Sequence, residues 1–597
     1  MRQTIAGAGA LVLGAALLGA CSEGNAQPGG GADGGDTDSD TAGGGPTGLL
    51  VTPPDAQLTV ENGVSATLEY TVIAQYDDGH TEDVTDLAEL SIDPGLLGVF
   101  DDNALTTSDT HGGVGTITAT LGEAGGQTTC TIDLHTVHVA DGAPSGVEEM
   151  FDGADDPARA PVLRYPLDGA LLPPNLSDVD VQWEPGSGND VWRLTFEGAH
   201  LAVEVYTDEP SFVPTELLWD QVSWGNAGGA PVSLAVAGTA AADPSTHGVS
   251  EPVEIAFAEQ AVTGGIYYWA ASSTVQSDYG IFRYDFGEPG QQAEQVYTTA
   301  QTDGRCVACH ALSRDGTRMA LNYDGGDGPA DIIDVATQTS VVAPENAYYA
   351  NFHTYSPDDA YVLSVYQGIF TLRDGATGAA VETLPLDHVT YPDWSADGSL
   401  VAFTRVTRDT TPDYSCDWSF HGGQIELMTY GGPGVWGEPE VLVPAQEDLN
   451  FYYPAISPDG DWVVYNRSSE LGAYESPGDS YSDDDAELWV ISVDGGAPIR
   501  LDAVNLDGDF RTSWAKWAPN VDSYQGEPLL WLTVSSMRGY GTTLADGQLP
   551  QIWMAAFSPS AAADGVDPTW SAFYLPFQDI TTNNHIAQWT EVVVDYE

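Results

Sequence analysis

Lysine is all but absent: Lys516 is the only one in 597 residues. Arginine adds little, so 16 basic residues face 89 acidic ones and the formal net charge is −73 at pH 7. A surface this negative repels nucleic acid and anionic lipid, which discounts both as partners. It suits high salt, where screening softens self-repulsion. Beyond the N-terminus no apolar stretch is long enough to cross a bilayer. The patterns G-x-S-x-G, H-E-x-x-H and G-x-x-x-x-G-K are missing, and with them the usual marks of serine-hydrolase, zinc-protease and phosphate-loop chemistry. Disorder is not the reason for the charge, because 10% of the chain is aromatic, with 16 tryptophans. The length predicts three or four domains.

The N-terminus sets the compartment. Met1-Arg2 is a short basic start, and Thr4 to Ala20 is an apolar run of Ala, Leu and Gly with the shape of a secretory signal peptide. Its ending, Leu18-Gly19-Ala20-Cys21, resembles a bacterial lipoprotein lipobox. That resemblance implies cleavage before Cys21 and lipidation of its thiol. Ser22 in place of Asp implies an outer-membrane lipoprotein, periplasmic or surface-facing, with the lipid as its membrane contact. Residues 22–48 are Gly, Asp, Ser, Thr and Pro with almost nothing to bury, so they predict a flexible acidic tether.

From 49 to 140, short β-type runs such as Ala66-Thr67-Leu68-Glu69-Tyr70-Thr71-Val72 alternate with turn signals and predict a small β-sandwich. The stretch Tyr76-Asp77-Asp78-Gly79-His80-Thr81-Glu82-Asp83-Val84-Thr85, followed by Gly115-Thr116-Ile117-Thr118-Ala119, resembles the bacterial Ig-like group 2 family. The resemblance implies a stalk or adhesion-type module without catalysis. Residues 141–160 are polar and turn-rich and predict a linker. Residues 161–260 predict a second sandwich, with alternating strands at Val179–Trp183 and Asp190–Phe196. Pro166-Leu167-Asp168-Gly169-Ala170 and Pro173-Pro174-Asn175-Leu176 before a tryptophan strand resemble a fibronectin type III opening.

A repeat occupies 261–597. Ser313-Arg314-Asp315-Gly316 returns as Ser356-Pro357-Asp358-Asp359, Ser395-Ala396-Asp397-Gly398 and Ser457-Pro458-Asp459-Gly460, with a worn copy at Ala518-Pro519-Asn520. Each full copy precedes an apolar strand, so S-x-D-G reads as the tight turn of a four-stranded unit. The copies resemble the PD40 (WD40-like, TolB-type) β-propeller repeat. The fold class expected is all-β: two N-terminal sandwiches followed by a six-bladed propeller. The long intervals from 395 to 457 and from 457 to 518 place insertions in the fourth and fifth blades.

The one visible piece of redox or metal chemistry is Cys306-Val307-Ala308-Cys309-His310, immediately before the first copy. Two thiols three apart followed by histidine form the pattern that holds haem c, with Cys306 and Cys309 as thioether donors and His310 as axial iron ligand. His353, at the equivalent strand one blade on, is the first choice for a sixth ligand; His388, His421, His585 and Met319 are alternatives. Two other readings stay open: a structural Cys306–Cys309 disulfide, and a zinc site that lacks a second cysteine pair. Cys130 and Cys416 predict unpaired, buried thiols. Asp324–Asp327, Asp483–Asp485 and Asp507–Asp509 raise calcium as a cofactor, but none has the EF-hand spacing.

Taken together, Pro161 to the C-terminus, including Asn583-Asn584-His585-Ile586-Ala587-Gln588-Trp589, resembles exported TolB-like propeller proteins that carry C-x-x-C-H. The resemblance implies binding of a protein or surface-polysaccharide partner rather than turnover. Three functions follow in order: a non-enzymatic partner-binding propeller carrying one haem c for electron transfer or redox sensing; a pure interaction or adhesion module; and a haem-dependent oxidoreductase.

Overall fold

The computed structural model describes residues 45–272, 279–286, 292–325, 328–408, 420–469 and 483–594. The signal peptide, Cys21 and the tether up to residue 44 lie outside the described residues, as do Cys416 and 595–597. The chain from Pro46 onward is one compact unit. Its regular structure is mostly β-strand, and among the described residues no helix is long and apolar enough to cross a membrane.

Six sheets follow one another from Gly265 to the C-terminus, each of four main strands paired antiparallel with their neighbours. Blade 1 joins Gly265–Ser272, Gly280–Asp285 and Glu294–Thr298 to the final strand, Thr582–Thr590, so the last strand closes the ring on the first blade. Blades 2 to 6 begin with Val307–Leu312, Phe352–Tyr355, Val389–Trp394, Leu449–Ile456 and Ser513–Trp517. Six blades in one closed ring make this a β-propeller. The insertions expected in blades 4 and 5 include 409–419 and 470–482, which lie outside the described residues; each falls between the second and third strands of its blade.

The repeat explains itself at the first turn of each blade. Ser313, Ser356 and Ser395 donate to Asp315, Asp358 and Asp397 at 2.8, 2.6 and 2.7 Å, and Ser457 does the same to Asp459. The same hydroxyls accept the N–H that opens the second strand, from Arg318, Tyr361, Leu400 and Trp462 at 2.8 to 3.0 Å. The turn then needs a left-handed residue, which glycine supplies at 316, 398 and 460 and Asp359 supplies at φ 57°.

Two β-rich regions precede the ring. They are fused by a 16-residue strand, Ala124–Val139. Its first half pairs antiparallel with Gly113–Leu121, and its last six residues pair parallel with Leu201–Thr207, giving one 11-stranded sheet across both regions. Residues 141–160 are packed rather than loose: Val147 and Phe151 are buried against Val191, Tyr206 and Ala237, and Ala154–Asp155 adds to the strand Asp243–Val249. Val147 and Phe151 stand four apart on the helical turn Val147–Phe151 and share a face to cover, which polar composition alone concealed. The second region is seated on the ring: the Tyr165 hydroxyl accepts from Tyr574 N at 3.1 Å, and Gln182 Oε1 accepts from Thr542 N at 2.8 Å.

Candidate functional site in the propeller channel

The inner strands carry one irregularity at one position. Four residues before the turn serine or its equivalent, the backbone enters the left-handed region at Cys309 (φ 47°), Tyr391 (49°), Tyr453 (50°), Trp514 (53°) and Ile586 (56°). In each case the strand register slips there, as in a β-bulge. Blade 3 keeps regular pairing and places Phe352 at that station. A non-glycine residue at positive φ costs energy, and a fivefold repetition is held by a common geometry. Its result is a waist across the channel. Tyr453 and Trp514 stack at 3.7 Å between centroids, Tyr391 meets Tyr453 at 4.2 Å, and Phe352 meets Tyr391 at 4.5 Å. Cys309, His310, His353, Lys516, Ile586 and Gln588 join these rings in lining a cavity of about 40 Å³.

Two residues further along each inner strand lies a second layer: Ala311, Thr354, Asp393, Ala455, Lys516 and Gln588. These line a larger cavity of about 140 Å³ that continues to the S-x-D-G turns. Here the single lysine of the chain meets a carboxylate: Lys516 Nζ lies 2.6 Å from Asp393 Oδ1. Asp393 Oδ2 accepts from Ile456 N at 2.8 Å, which fixes the carboxylate. Arg314, its guanidinium 3.4 Å from Glu591, is the other cation at this mouth. His353 and Tyr355 line the cavity with the ring Nδ1 and the hydroxyl buried and without a hydrogen-bond partner among the described residues.

Of the C-x-x-C-H residues, Cys309 and His310 both line the cavity at the waist, and Cys306 does not. Cys309 faces the waist. His310 is 2% exposed, and its Nε2–H donates to the Tyr267 carbonyl at 3.1 Å, leaving Nδ1 buried without a partner. Burial pulls the His310 pKa down to about 4, against the upward pull of that hydrogen bond. His585 is brought beside it: burial, then His310 itself, lowers its pKa to about 3. Cys306 is half-buried; burial, then the Asp324 carboxylate, pushes its thiol pKa up, so it is a poor thiolate. No disulfide joins Cys306 to Cys309.

The residues present do not fit a haem. Ligand pockets begin at roughly 300 Å³, far above the cavity at Cys309, and the one bonded nitrogen of His310 is spent on a backbone carbonyl. His353 holds the same station as His310 in the next blade, but its Nε2 lies 3.3 Å from the Tyr348 hydroxyl. Burial, then the Arg373 charge, lowers its pKa to about 3. Of the alternative ligands, Met319 is core, and His388 is half-exposed beside Asp387. Among the described residues no three His, Cys, Asp or Glu side chains are grouped to hold a metal; Asp327, of the acidic run 324–327, lies outside the described residues. The acidic run 483–485 has structural work instead: Asp483 accepts from Tyr452 and Ser468, and Asp484 pairs with Arg511. Cys130 is a buried thiol in the first N-terminal region.

Lys516 and Asp393 belong to no sequence motif, because each stands alone in the sequence. The signal was compositional: one lysine in an acidic chain, two residues before the worn copy of the repeat.

No family model matches the chain, and no curated protein matches it. Among solved structures it is similar to the β-propeller domain of the Trilobed protease from Pyrococcus furiosus, at 11% identity and TM-score 0.28, over 53% of this chain and 94% of that one. It is also similar to an oligogalacturonate lyase in complex with manganese, at 16% identity and TM-score 0.29, over 51% and 73%. A quinonprotein alcohol dehydrogenase-like protein from Bacteroides thetaiotaomicron matches at 10% identity and TM-score 0.27, over 72% and 96%. The propeller rests on the six-sheet topology and not on these likenesses.

Proposed function

We propose that this is an exported, lipid-anchored binding protein whose propeller receives a polar group of a partner at the channel mouth, without turnover and without haem. One observation supports this reading above the others: the only lysine is spent inside the channel, paired with Asp393, in a chain that otherwise avoids lysine. An ion pair withdrawn from water is a poor source of stability, which favours recognition as its use. The aromatic waist limits entry, and the six small or polar residues of the second layer leave room above it. The partner is a protein or a surface polysaccharide. In this reading the N-terminal regions, Ig-like first and fibronectin-like second, form the stalk, and Cys21 anchors the chain in the outer membrane.

A single lysine makes the test direct. With the N-terminus acylated, an amine-reactive ester labels only Lys516, and mass spectrometry reads the rate. Purified surface polysaccharide and purified outer-membrane and periplasmic proteins are the partners to offer. Protection of Lys516 by one of them, lost together with its binding in Lys516→Met, is the expected result. A binding partner that leaves the labelling rate unchanged overturns the channel as the site.

A further inference from the structure

A larger cavity lies elsewhere, about 420 Å³, where the second N-terminal region meets blade 1. Helix Glu216–Ser223 gives it one face, because Glu216, Trp219 and Asp220 stand at i, i+3 and i+4. Trp224 follows the helix, and Tyr284 and Phe286 come from blade 1. These rings are held from behind. Trp219 donates its indole N–H to Leu176 O at 2.6 Å, Tyr284 stacks on Phe577 at 4.0 Å, and Phe286 lies parallel to Trp589 at 5.7 Å. Asn175 clamps the two regions together at this point, donating to Val262 O and Phe286 O at 2.9 and 3.0 Å and accepting from Val262 N at 3.0 Å.

The charges around this aromatic floor are all of one sign. Asp178 and Glu216 are exposed at the rim and Asp220 is half-buried; no lysine, arginine or histidine lines the cavity. None of the three carboxylates has an ion-pair partner among the described residues. Burial, then Glu216 and Asp109, holds the Asp220 carboxyl above its usual range, a cost that a bound cation relieves. The carboxylates do not group as a metal site, and an anion is repelled. A primary ammonium calls for several acceptors converging on it, whereas four aromatic rings make up much of the wall here, with Asn175 and Ser177 its uncharged polar side chains.

We infer that this cavity binds a quaternary ammonium group, its methyls on Trp219, Trp224, Tyr284 and Phe286 and its charge balanced by Asp220 and the rim carboxylates. Aromatic faces attract such cations electrostatically, and the volume is that of a small-molecule site. The site is separate from the channel and does not depend on how the channel is used. A phosphate next to the ammonium would face Asp178 and Glu216, so free choline is preferred over a phosphocholine headgroup.

The test is titration of the whole chain with choline chloride, followed by tryptophan fluorescence and calorimetry against sodium chloride at matched ionic strength. Saturable binding is expected, about tenfold weaker in Trp224→Ala and in Asp220→Asn at unchanged melting temperature, and unchanged in Lys516→Met. Phosphocholine and phosphatidylcholine vesicles are expected to bind more weakly than choline, and neutral 3,3-dimethylbutan-1-ol not at all. No saturable response to choline overturns the inference. So does equal binding of the neutral isostere, of spermidine, or of vesicles in preference to free choline. If Trp224→Ala does not fold, Asp178→Asn/Glu216→Gln, both at exposed positions, must weaken choline severalfold; unchanged affinity there also overturns it.

Discussion

Lys516 of blade 6 and Asp393 of blade 4 meet at 2.6 Å, although a whole blade separates them in the ring. The residue at their station in blade 5 is Ala455, small enough to leave the space between them open. Their side chains are only 22% and 15% exposed, so neither charge is well solvated without the other. Removing one partner strands the other, whereas removing both takes away the desolvation cost as well. Lys516→Met is therefore expected to destabilise the protein by about 2 kcal/mol, and Lys516→Met/Asp393→Leu by much less. Urea unfolding of the two single variants and the double variant measures the coupling. Additive losses would show that the pair is no pair in solution.

The second prediction concerns the thiols. Protein matured in a c-type haem attachment background is expected to give no covalent haemochrome in alkaline pyridine, with the same spectrum in Cys306→Ala/Cys309→Ala. Cys306 is expected to react slowly with iodoacetamide near neutral pH, because burial and Asp324 both disfavour its thiolate. A red protein whose colour vanishes in the double variant would return His310 to iron.

How far the sequence spoke depended on distance along the chain. The S-x-D-G turns were legible because all their chemistry lies within six residues: Ser395, Asp397 and the N–H of Leu400 complete one motif. The channel was not, because its layers draw one residue from each of six blades. A regular trace of it was nonetheless present, an aromatic four residues before the turn at Phe352, Tyr391, Tyr453 and Trp514. Cys309 occupies that station in blade 2. The motif is read for a surface that carries both thiols and the imidazole together, but a bulge on a strand sends Cys309 to the waist and His310 against Tyr267. The N-terminal regions show the same limit. Their strands follow from alternation, whereas the parallel pairing of Leu134–Val139 with Leu201–Thr207 that fuses them is a long-range choice.

Asp359 tests the turn chemistry. It stands where the other full copies have glycine and pays for a left-handed backbone with two bonds across the blade boundary: Arg314 N donates to Oδ1 at 2.7 Å and Asp315 N to Oδ2 at 3.1 Å. Glycine would relieve a backbone cost of about 1 kcal/mol, but the two hydrogen bonds to a carboxylate are worth more, about 1.5 to 3 kcal/mol each. Asp359→Gly is thus expected to lower stability by about 2 kcal/mol or more, seen as a lower urea midpoint. A gain in stability would mean that the link between blades 2 and 3 contributes nothing.

The histidines set the response to acid. His310, His353 and His585 have pKa values lowered to about 4, 3 and 3 by burial. An unfolded histidine titrates near 6.5, so below that pH the unfolded chain takes up protons that the folded ring refuses. The sign follows: the stability these groups contribute is complete above pH of about 6.5 and is lost as pH falls towards 4, by up to about 1.4 kcal/mol per group per pH unit. His310 and His585 oppose each other's charge, so protonating one does not ease the other. Carboxylates add their own titration at the lower end of this window, and for that reason the comparison between variants decides. His353→Phe, which keeps the volume without the proton, should flatten the fall in urea midpoint between pH 6.5 and 5 by close to one proton's worth. A slope equal to the parent's would place the His353 ring in water and open the interface between blades 2 and 3.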